Sequence, residues 1–260
     1  MEARRTDEPL ALEPSRYDRI GHTYVDYRRA DRRVAAAIEL ALGDAVTVID
    51  VGSGTGSYGP AGRSVVAIEP SLTMIRQRPP TAAPVVQAAA EHLPVRDGTF
   101  DVALAVLTVH HWYDAQAGLS ELVRVSREQV VLTWDPAIFA RFWLVDEYLP
   151  ELAESEAKLP TLSAVVSALN VVDVQPVLVP WDCTDGFCGA YWRRPEWYLR
   201  SAARAAISAF GVCPHAAVER AVSRLERDLE SGAWMRRHAD LIDLTEFDLG
   251  YRLVVARRPR

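Results

Sequence analysis

The sequence VTVIDVGSGTG at residues 46–56 decides the fold of this chain. Its first half is short, β-branched and apolar on both faces, which predicts a central strand of a parallel sheet. Three glycines, Gly52, Gly54 and Gly56, follow the strand directly. Because glycine lets a chain turn tightly and approach a ligand without a colliding Cβ atom, the segment predicts a strand that ends in a ligand-binding turn.

Strands and helices alternate on either side of this segment. A helix is predicted over residues 32–42, with Asp31 as its cap and Gly43 at its end. The predicted strands cover residues 46–51, 64–68, 84–87, 100–109, 129–133, 171–179 and 248–255. Helical spacing of apolar residues separates most of them, so the chain is predicted to have an α/β fold with a doubly wound, mostly parallel, seven-stranded sheet.

The regular alternation stops after Asp135, which predicts an elaboration of the sheet domain. Residues 1–30 mix Pro, Arg and Tyr without periodicity and predict an N-terminal arm. Residues 181–245 are mostly helical in pattern and predict an inserted helical cap. The sheet domain then consists of residues 31–180 together with residues 246–260.

The residues around the glycines indicate which ligand the turn binds. A dinucleotide fingerprint requires a further glycine at position 57, where this chain has Ser57. Asp50 precedes the first glycine, and its carboxylate would repel a phosphate but attract a cationic amino group. Glu69, at the end of the next predicted strand, is placed to accept ribose hydroxyls, and Met74 follows where it can lie against a base. We therefore predict a site for an adenosine attached to a positively charged amino acid.

Four segments together resemble one enzyme family. The segments VIDVGSGTG, VVAIEP, AAAEHLP and GTFDVALAVLTVHHW are similar, in order and spacing, to motifs of the class I S-adenosylmethionine-dependent methyltransferases. The resemblance is strongest to the small-molecule branch that contains the ubiquinone and menaquinone methyltransferases. It covers residues 31–135, about 40% of the chain, and implies a Rossmann-like fold with S-adenosylmethionine as the cofactor.

The resemblance also implies roles for single residues. Asp50 would face the methionine amino group, Glu69 would hold the ribose hydroxyls, and Arg28 would reach the methionine carboxylate. Leu107 would contribute its backbone to the methionine pocket. The other implied cofactor-binding residues are Gly52, Ser53, Gly54, Gly56, Pro70, Met74, Ala90 and Glu91.

The chain departs from the family pattern at two places. Ala89 stands where relatives usually carry an aspartate for the adenine amino group. Losing such a charge-assisted hydrogen bond costs about 1.5–3 kcal/mol, which weakens cofactor binding without abolishing it. Gly59, Pro60 and Gly62 leave little room for a helix after the glycine turn. Tyr58 is then predicted either to lie near the ligand or to pack on the surface.

Candidate catalytic residues follow the fourth and fifth predicted strands. His110 and His111 end the fourth strand, and an imidazole that titrates near neutrality suits a general base. The alternatives are that these side chains only pack the turn, or that the reaction needs no base. Asp135, after the fifth strand, is a second candidate base or a helix cap.

Arginines and aromatic residues of the arm and cap are candidates for binding the methyl acceptor. Arg pairs bind anions bidentately and stack on rings, so an anionic acceptor is one hypothesis, and solvated arginines and core aromatics are the alternative. The candidate acceptor-binding residues are Tyr17, Tyr24, Tyr58, Tyr191, Trp192 and Arg193.

Composition excludes several other functions. The formal net charge of −6 disfavours nucleic acid as a partner. The three cysteines lack the paired spacing of a zinc site, so no metal is predicted. No signal peptide or membrane span is evident, which predicts a cytoplasmic monomer or homodimer without a membrane partner.

We therefore predict an enzyme that transfers a methyl group from S-adenosylmethionine to a small molecule. Two alternatives stay open. One is a non-catalytic module that only binds S-adenosylmethionine, and the other is an NAD(P)-dependent oxidoreductase, against which Asp50 and Ser57 both count.

Overall fold

A computed structural model of the chain describes residues 24–169 and 173–257. Within these ranges the strands are β1 Thr47–Val51, β2 Ser64–Ile68, β3 Val85–Val86, β4 Phe100–Val106, β5 Ser126–Trp134, β6 Asp173–Pro176, β7 Val179–Pro180, β8 Glu246–Phe247 and β9 Tyr251–Arg257. Seven of them form one sheet in the order β3-β2-β1-β4-β5-β9-β6. Strands β1 to β5 run parallel, and β9 is antiparallel to both β5 and β6. The predicted α/β fold with a mostly parallel, seven-stranded sheet is confirmed.

Helices flank both faces of the sheet. In the described ranges the α-helices are α1 Tyr24–Tyr27, α2 Arg32–Leu42, α3 Leu72–Arg76, α4 Ala115–Val125, α5 Pro136–Phe139, α6 Pro150–Glu156, α7 Leu162–Leu169, α8 Ser201–Ala205, α9 His215–Glu230 and α10 Ala233–Arg237. Short 3₁₀ turns cover Val109–His111, Pro195–Leu199, Ser208–Gly211 and Ala239–Leu241, and a π turn covers Leu144–Tyr148. None of the helices described is long and apolar enough to cross a membrane.

Local sequence explains where α2 begins and ends. The Asp31 side chain accepts a hydrogen bond from the Arg33 N–H at the start of the helix. Gly43, which ends it, has a φ of 52°, a conformation that glycine adopts without a steric cost. The predictions that Asp31 caps the start of this helix and that Gly43 ends it are both confirmed.

Buried residues form two apolar clusters. In β1, Val48 belongs to the cluster that also contains the buried residues of α2, whereas Ile49 belongs to the cluster that contains those of α4. Because successive side chains of a strand point to opposite faces, a strand covered on both faces must be apolar throughout. This requirement accounts for the continuous apolar run that precedes the glycines.

The segment predicted as an inserted helical cap, residues 181–245, packs on the sheet, and the strands at its two ends pair with each other. Trp192, Tyr198 and Trp234 from the cap lie in the same buried cluster as Val48 and Leu104 from the sheet. At the two ends of the cap, β7 and β8 pair with each other antiparallel. The cap is therefore built onto one face of the sheet by a continuous apolar core.

Six of the seven predicted strands have different bounds in the structure, and β5, for example, begins three residues earlier than predicted. β4 ends at Val106 because Leu107 adopts a left-handed backbone with a φ of 51°. The strand predicted at residues 171–179 is divided into β6 and β7 after Pro176, and residues 170–172 lie outside the described part. β9 begins later than predicted because the carboxylate of Asp248 accepts the Gly250 N–H and forms a turn.

Candidate functional site

The glycine turn is held tightly against the neighbouring strands. The N–H groups of Gly52 and Ser53 both donate to the carbonyl oxygen of Ile68 at the end of β2, at 2.8 and 3.0 Å. A Cβ atom on Gly52 would lie 2.0 Å from Oγ1 of Thr108. Since Gly52 also has a φ of 72°, no other residue fits this position without moving the chain that follows β4.

Two buried carboxylates face the turn. Asp50 is the fourth residue of β1 and is 4% exposed. Burial raises the pKa of Asp50 to about 7, an effect that the Arg78 guanidinium opposes and the Glu69 carboxylate reinforces. Glu69 accepts hydrogen bonds from the Gly54 and Ser71 N–H groups, at 2.8 and 2.9 Å.

The far side of the turn is closed by a methionine. Met74 in α3 is 1% exposed, and its Cε atom would lie 3.3 Å from a Cβ atom on Gly54. Ser71 caps α3 by accepting the Met74 N–H at 3.2 Å. Helix α3 therefore positions Met74 against the turn.

These features fit S-adenosylmethionine. Because Gly52 carries no side chain, a ligand can lie directly on the backbone of the turn. A buried acid with a pKa of about 7 gains a partner when a cationic amino group binds. Asp50 and Glu69 are thus suited to a cationic amino acid and a ribose, and they are unsuited to a pyrophosphate.

A cavity of about 690 Å³, its open mouth included, adjoins the turn at the carboxyl ends of β4 and β5. Leu107 lines the cavity, and the next residue, Thr108, contacts Gly52. The apolar part of the wall includes Leu107, Trp134, Phe139, Leu159, Phe187 and Ile207.

Seven of the sixteen residues in the cavity wall carry polar side chains. They include His110, His111 and Glu156, and Glu156 is only 6% exposed. The His110 ring lies 3.7 Å from that of His111 and meets Trp134 edge-on, with 4.4 Å between the ring centroids. Cys188 also lines the cavity, but burial raises the pKa of its thiol well above the usual range, so it is not a ready nucleophile.

The segment that follows α1 closes one side of the cavity. Arg28 lines the cavity, and its Nε donates to the carboxylate of Asp185 at 2.5 Å. The Tyr58 hydroxyl donates to the other oxygen of Asp185 at 3.0 Å, and the Gly186 N–H donates to the carbonyl oxygen of Tyr27 at 2.8 Å. These contacts join the arm, the cap and the segment after the glycine turn, and we call them the arm latch.

Known proteins resemble this chain along nearly its whole length. A family model described as a methyltransferase domain matches residues 49–133. A crystal structure from Anabaena variabilis, described as a methyltransferase from an antibiotic biosynthesis pathway, is 31% identical in sequence. It superposes with a TM-score of 0.81, and the alignment covers 91% of this chain and 100% of that chain. The chain belongs to the class I S-adenosylmethionine-dependent methyltransferases.

Curated relatives match this chain only in part. A demethylmenaquinone methyltransferase from Corynebacterium urealyticum is 32% identical over 37% of this chain and 43% of its own length. A malonyl-[acyl-carrier protein] O-methyltransferase from Pseudescherichia vulneris is 33% identical over 43% of this chain and 47% of its own length. The chain thus spans about half the length of the curated relatives it matches.

One structural neighbour has a different chemistry on a related fold. The [4+2]-cyclase SpnF superposes on this chain with a TM-score of 0.50 and 14% identity, over 94% of each chain. This likeness concerns the fold alone. Activity therefore has to be argued from the residues of the site.

Four of the residues predicted for the site, Arg28, Leu107, His110 and His111, line one cavity. The glycine turn does not line this cavity and approaches it through the contact of Gly52 with Thr108. Pro70 accepts a hydrogen bond from the Gln87 amide at 3.1 Å through its carbonyl oxygen. Past β3, Ala90 is 4% exposed, and Glu91 accepts the Asp114 N–H at 3.1 Å.

Several predicted residues lie elsewhere. The carboxylate of Asp135 caps α5 by accepting the Ala137 N–H at 2.9 Å. Tyr191 stacks on Trp197 with 5.1 Å between the ring centroids. Trp192 is fully buried in the core.

Arg193 is also turned away from the cavity. It donates to the carbonyl oxygen of Leu244 at 2.7 Å and lies over the ring of Trp181. Tyr58 belongs to the arm latch. Tyr17 and the side chain of Tyr24 lie outside the described part of the chain.

Sequence reasoning missed Thr108, Glu156 and Asp185. Thr108 lies near the end of the strand predicted at residues 100–109, and its place before the two histidines was the available signal. Glu156 ends α6 and Asp185 lies in a loop of the cap. No local pattern marks these two acids, because their roles arise from contacts with distant segments.

Proposed function

We propose that this chain transfers a methyl group from S-adenosylmethionine to a small, mostly apolar acceptor bound in the cavity. The observation that carries the proposal is the adjacency of the two sites. The cofactor turn and the cavity meet at Leu107 and Thr108, one of which lines the cavity while the other contacts Gly52. An acceptor in the cavity would thus lie beside the cofactor without another segment between them.

S-adenosylmethionine, when bound, supplies a methyl group on a positively charged sulfur. The residues of this chain would hold the cofactor and orient the acceptor, which is the main contribution that a protein makes to such a displacement. Asp50 would meet the amino group and Glu69 the ribose hydroxyls. The backbone of Gly52 and Gly54 would lie along the cofactor.

The lining of the cavity supports an apolar acceptor more than an anionic one. Arg193, which suggested an anion in the sequence, is turned away and bonded to Leu244. Arg28 is bonded to the carboxylate of Asp185. The buried carboxylate of Glu156 adds a hydrogen-bond acceptor to the wall, which favours a hydroxyl or amine on the substrate.

His110 and His111 are the candidates for moving a proton. Both line the cavity, and a positioned imidazole is suited to removing a proton from a hydroxyl or amine as the acceptor reacts. Asp135 is bound to the start of α5 and is the weaker candidate.

The experiment has two stages. Titration calorimetry with S-adenosylhomocysteine measures cofactor binding, and we expect saturable binding to the parent protein. A radiolabelled methyl donor is then offered with a panel of hydroxylated aromatic, quinone and acidic acceptors, which includes the chemistries named in the relatives. Methylated product from an apolar hydroxylated acceptor supports the proposal.

Other outcomes separate the alternatives. Binding of S-adenosylhomocysteine without methylation of any acceptor favours a module that only binds the cofactor. Tight binding of NADH instead would restore the oxidoreductase. Preference for an acidic acceptor would support the anionic hypothesis and contradict an apolar one.

A further inference from the structure

The segment after the glycine turn lacks the helix that such turns usually precede. In α/β nucleotide-binding folds the turn leads into a helix, whose N-terminus presents N–H groups and a partial positive charge to the ligand. Residues 52–63, all of them described, form turns and bends and contain no helix. The positive end of a helix is therefore missing beside the turn.

An arginine from the next element occupies this place. Arg78 lies two residues beyond α3, and its Nη1 donates to the Ser53 hydroxyl and the Gly54 carbonyl oxygen, both at 2.9 Å. Its Nη2 donates to the carbonyl oxygen of Ala83 at 3.1 Å. A Cβ atom on Gly56 would lie 3.2 Å from the guanidinium group. One side chain thus contacts the turn at Ser53, Gly54 and Gly56.

The guanidinium also acts on the buried acids of the site. The charged groups that act on Asp50 are Arg78, beyond α3, and Glu69, beyond β2. The neighbours of Asp50 in the sheet, Ala67 on β2 and Leu104 on β4, are apolar. Arg78 is therefore the cation that offsets the burial of Asp50 and the repulsion from Glu69.

We propose that Arg78 is a positioning residue for the cofactor, which fixes the glycine turn and supplies the positive charge that a helix start supplies in related folds. The inference rests on the proposed function, because it assumes that S-adenosylmethionine binds at this turn. Arg78 need not touch the cofactor. It acts through Gly54, which it holds, and through Asp50, whose ionised form it favours.

A pH profile distinguishes this role from a merely structural one. Burial raises the pKa of Asp50 to about 7, and Arg78 acts against that rise. A nearby opposite charge favours the charged form of an acid, so removing Arg78 raises the pKa further. Because the cationic amino group of the cofactor needs the ionised carboxylate, cofactor affinity should rise with pH through the pKa of Asp50.

The test is the affinity for S-adenosylhomocysteine, measured by calorimetry between about pH 6 and 8.5, a range that brackets neutrality. For Arg78→Met we expect affinity about tenfold lower at neutral pH and a profile midpoint about one pH unit higher. Arg78→Lys keeps the charge, so its midpoint should stay near that of the parent while its affinity falls. Arg76→Met, at the exposed end of α3, is the matched control and should change neither.

Each result decides between the possibilities. If Arg78→Met binds as tightly as the parent, or loses affinity equally at every pH, the inference is overturned. If Arg78→Met does not fold, the comparison of Arg78→Lys with Arg78→Gln replaces it. Equal midpoints of the pH profile in those two variants would overturn the inference that the positive charge of Arg78 favours the ionised form of Asp50. If the parent itself binds no S-adenosylhomocysteine, the proposed function fails, and this inference fails with it.

Discussion

Two backbone conformations shape the place where the cofactor turn meets the cavity. Gly52 and Leu107 both have positive φ angles, 72° and 51°. A left-handed backbone costs an ordinary residue such as leucine about 1–2 kcal/mol. The Leu107 N–H donates to the carbonyl oxygen of Leu132 at 2.8 Å, so β5 helps to hold this conformation. Strain of this kind concentrates at functional sites, and here it turns the chain between the cavity and Gly52.

The contact between Gly52 and Thr108 can be tested with a matched pair of glycine variants. Gly52→Ala places a methyl group against Thr108, whereas Gly62→Ala, at a nearly equal φ of 71°, meets open space. We expect both to lose about 1–2 kcal/mol of stability from the backbone conformation. Only Gly52→Ala should lose more than that, and only Gly52→Ala should lose binding of S-adenosylhomocysteine.

Thermal unfolding and calorimetry check this prediction. Equal losses in the two variants would mean that the crowding at Thr108 relaxes without consequence. In that case the turn would be set by backbone conformation alone.

The two histidines can be separated by single substitutions. His110→Phe and His111→Phe keep a ring in place but cannot take a proton. If one of them is the general base, its loss should lower turnover by about 10²- to 10⁴-fold and leave the binding of S-adenosylhomocysteine unchanged. His215→Ala, on the exposed start of α9, serves as the control.

The readout is methyl transfer under saturating donor, measured across pH. Full turnover in both variants would indicate that the acceptor reacts without a base at this position. The histidines would then only shape the cavity wall.

At the scale of elements, the start of α5 shows that a carboxylate placed where a catalytic base is expected can instead cap a helix. Asp135 follows β5 at the edge of the sheet where catalytic residues gather. In the structure its side chain caps the four-residue helix Pro136–Phe139. That helix carries Phe139 into the wall of the cavity, so the Asp135 side chain acts on the site by holding the start of the helix.

Substitutions at Asp135 distinguish a cap from a base. Asparagine caps helices about as well as aspartate, whereas alanine costs about 0.5–2 kcal/mol. We therefore expect Asp135→Asn to keep both stability and turnover, and Asp135→Ala to lose stability. Loss of turnover in the stable Asp135→Asn protein would restore a catalytic role.

The elements that sequence predicted well are those whose pattern is local. β1, β2 and the start of α2 follow from an apolar run, a glycine turn and an aspartate cap, all of which act over a few residues. Trp192 and Arg193 were harder to place. In an irregular segment the side chains follow no fixed period, so one residue can face the core while the next faces the surface. Asp185 acquires its role only by meeting Arg28, 157 residues away along the chain, and no local pattern reports such a contact.

At the scale of the whole molecule, one apolar core extends from the sheet into the cap. Trp143, Tyr198 and Trp234 contact one another edge to face through Trp143, and they belong to the cluster that covers one face of the sheet. The cap is thus unlike a domain joined by a linker, which would have a core of its own.

This continuity predicts a single cooperative unfolding transition. Tryptophan fluorescence, which reports mainly on residues of the cap and its surroundings, should change at the same temperature as the far-ultraviolet circular dichroism of the whole chain. Two separated transitions would indicate that the cap and the sheet unfold independently. A saturating concentration of S-adenosylhomocysteine, about 100 times its Kd, should raise stability by about 2.7 kcal/mol.

The position of β9 has a consequence for synthesis on the ribosome. β9 covers the edge of β5 along seven paired residues, yet more than a hundred residues separate the two strands in the chain. A nascent polypeptide that has already released β1 to β5 still displays an uncovered apolar strand edge, and such edges recruit other chains. During translation β5 therefore lacks its antiparallel neighbour until β9 has been synthesised.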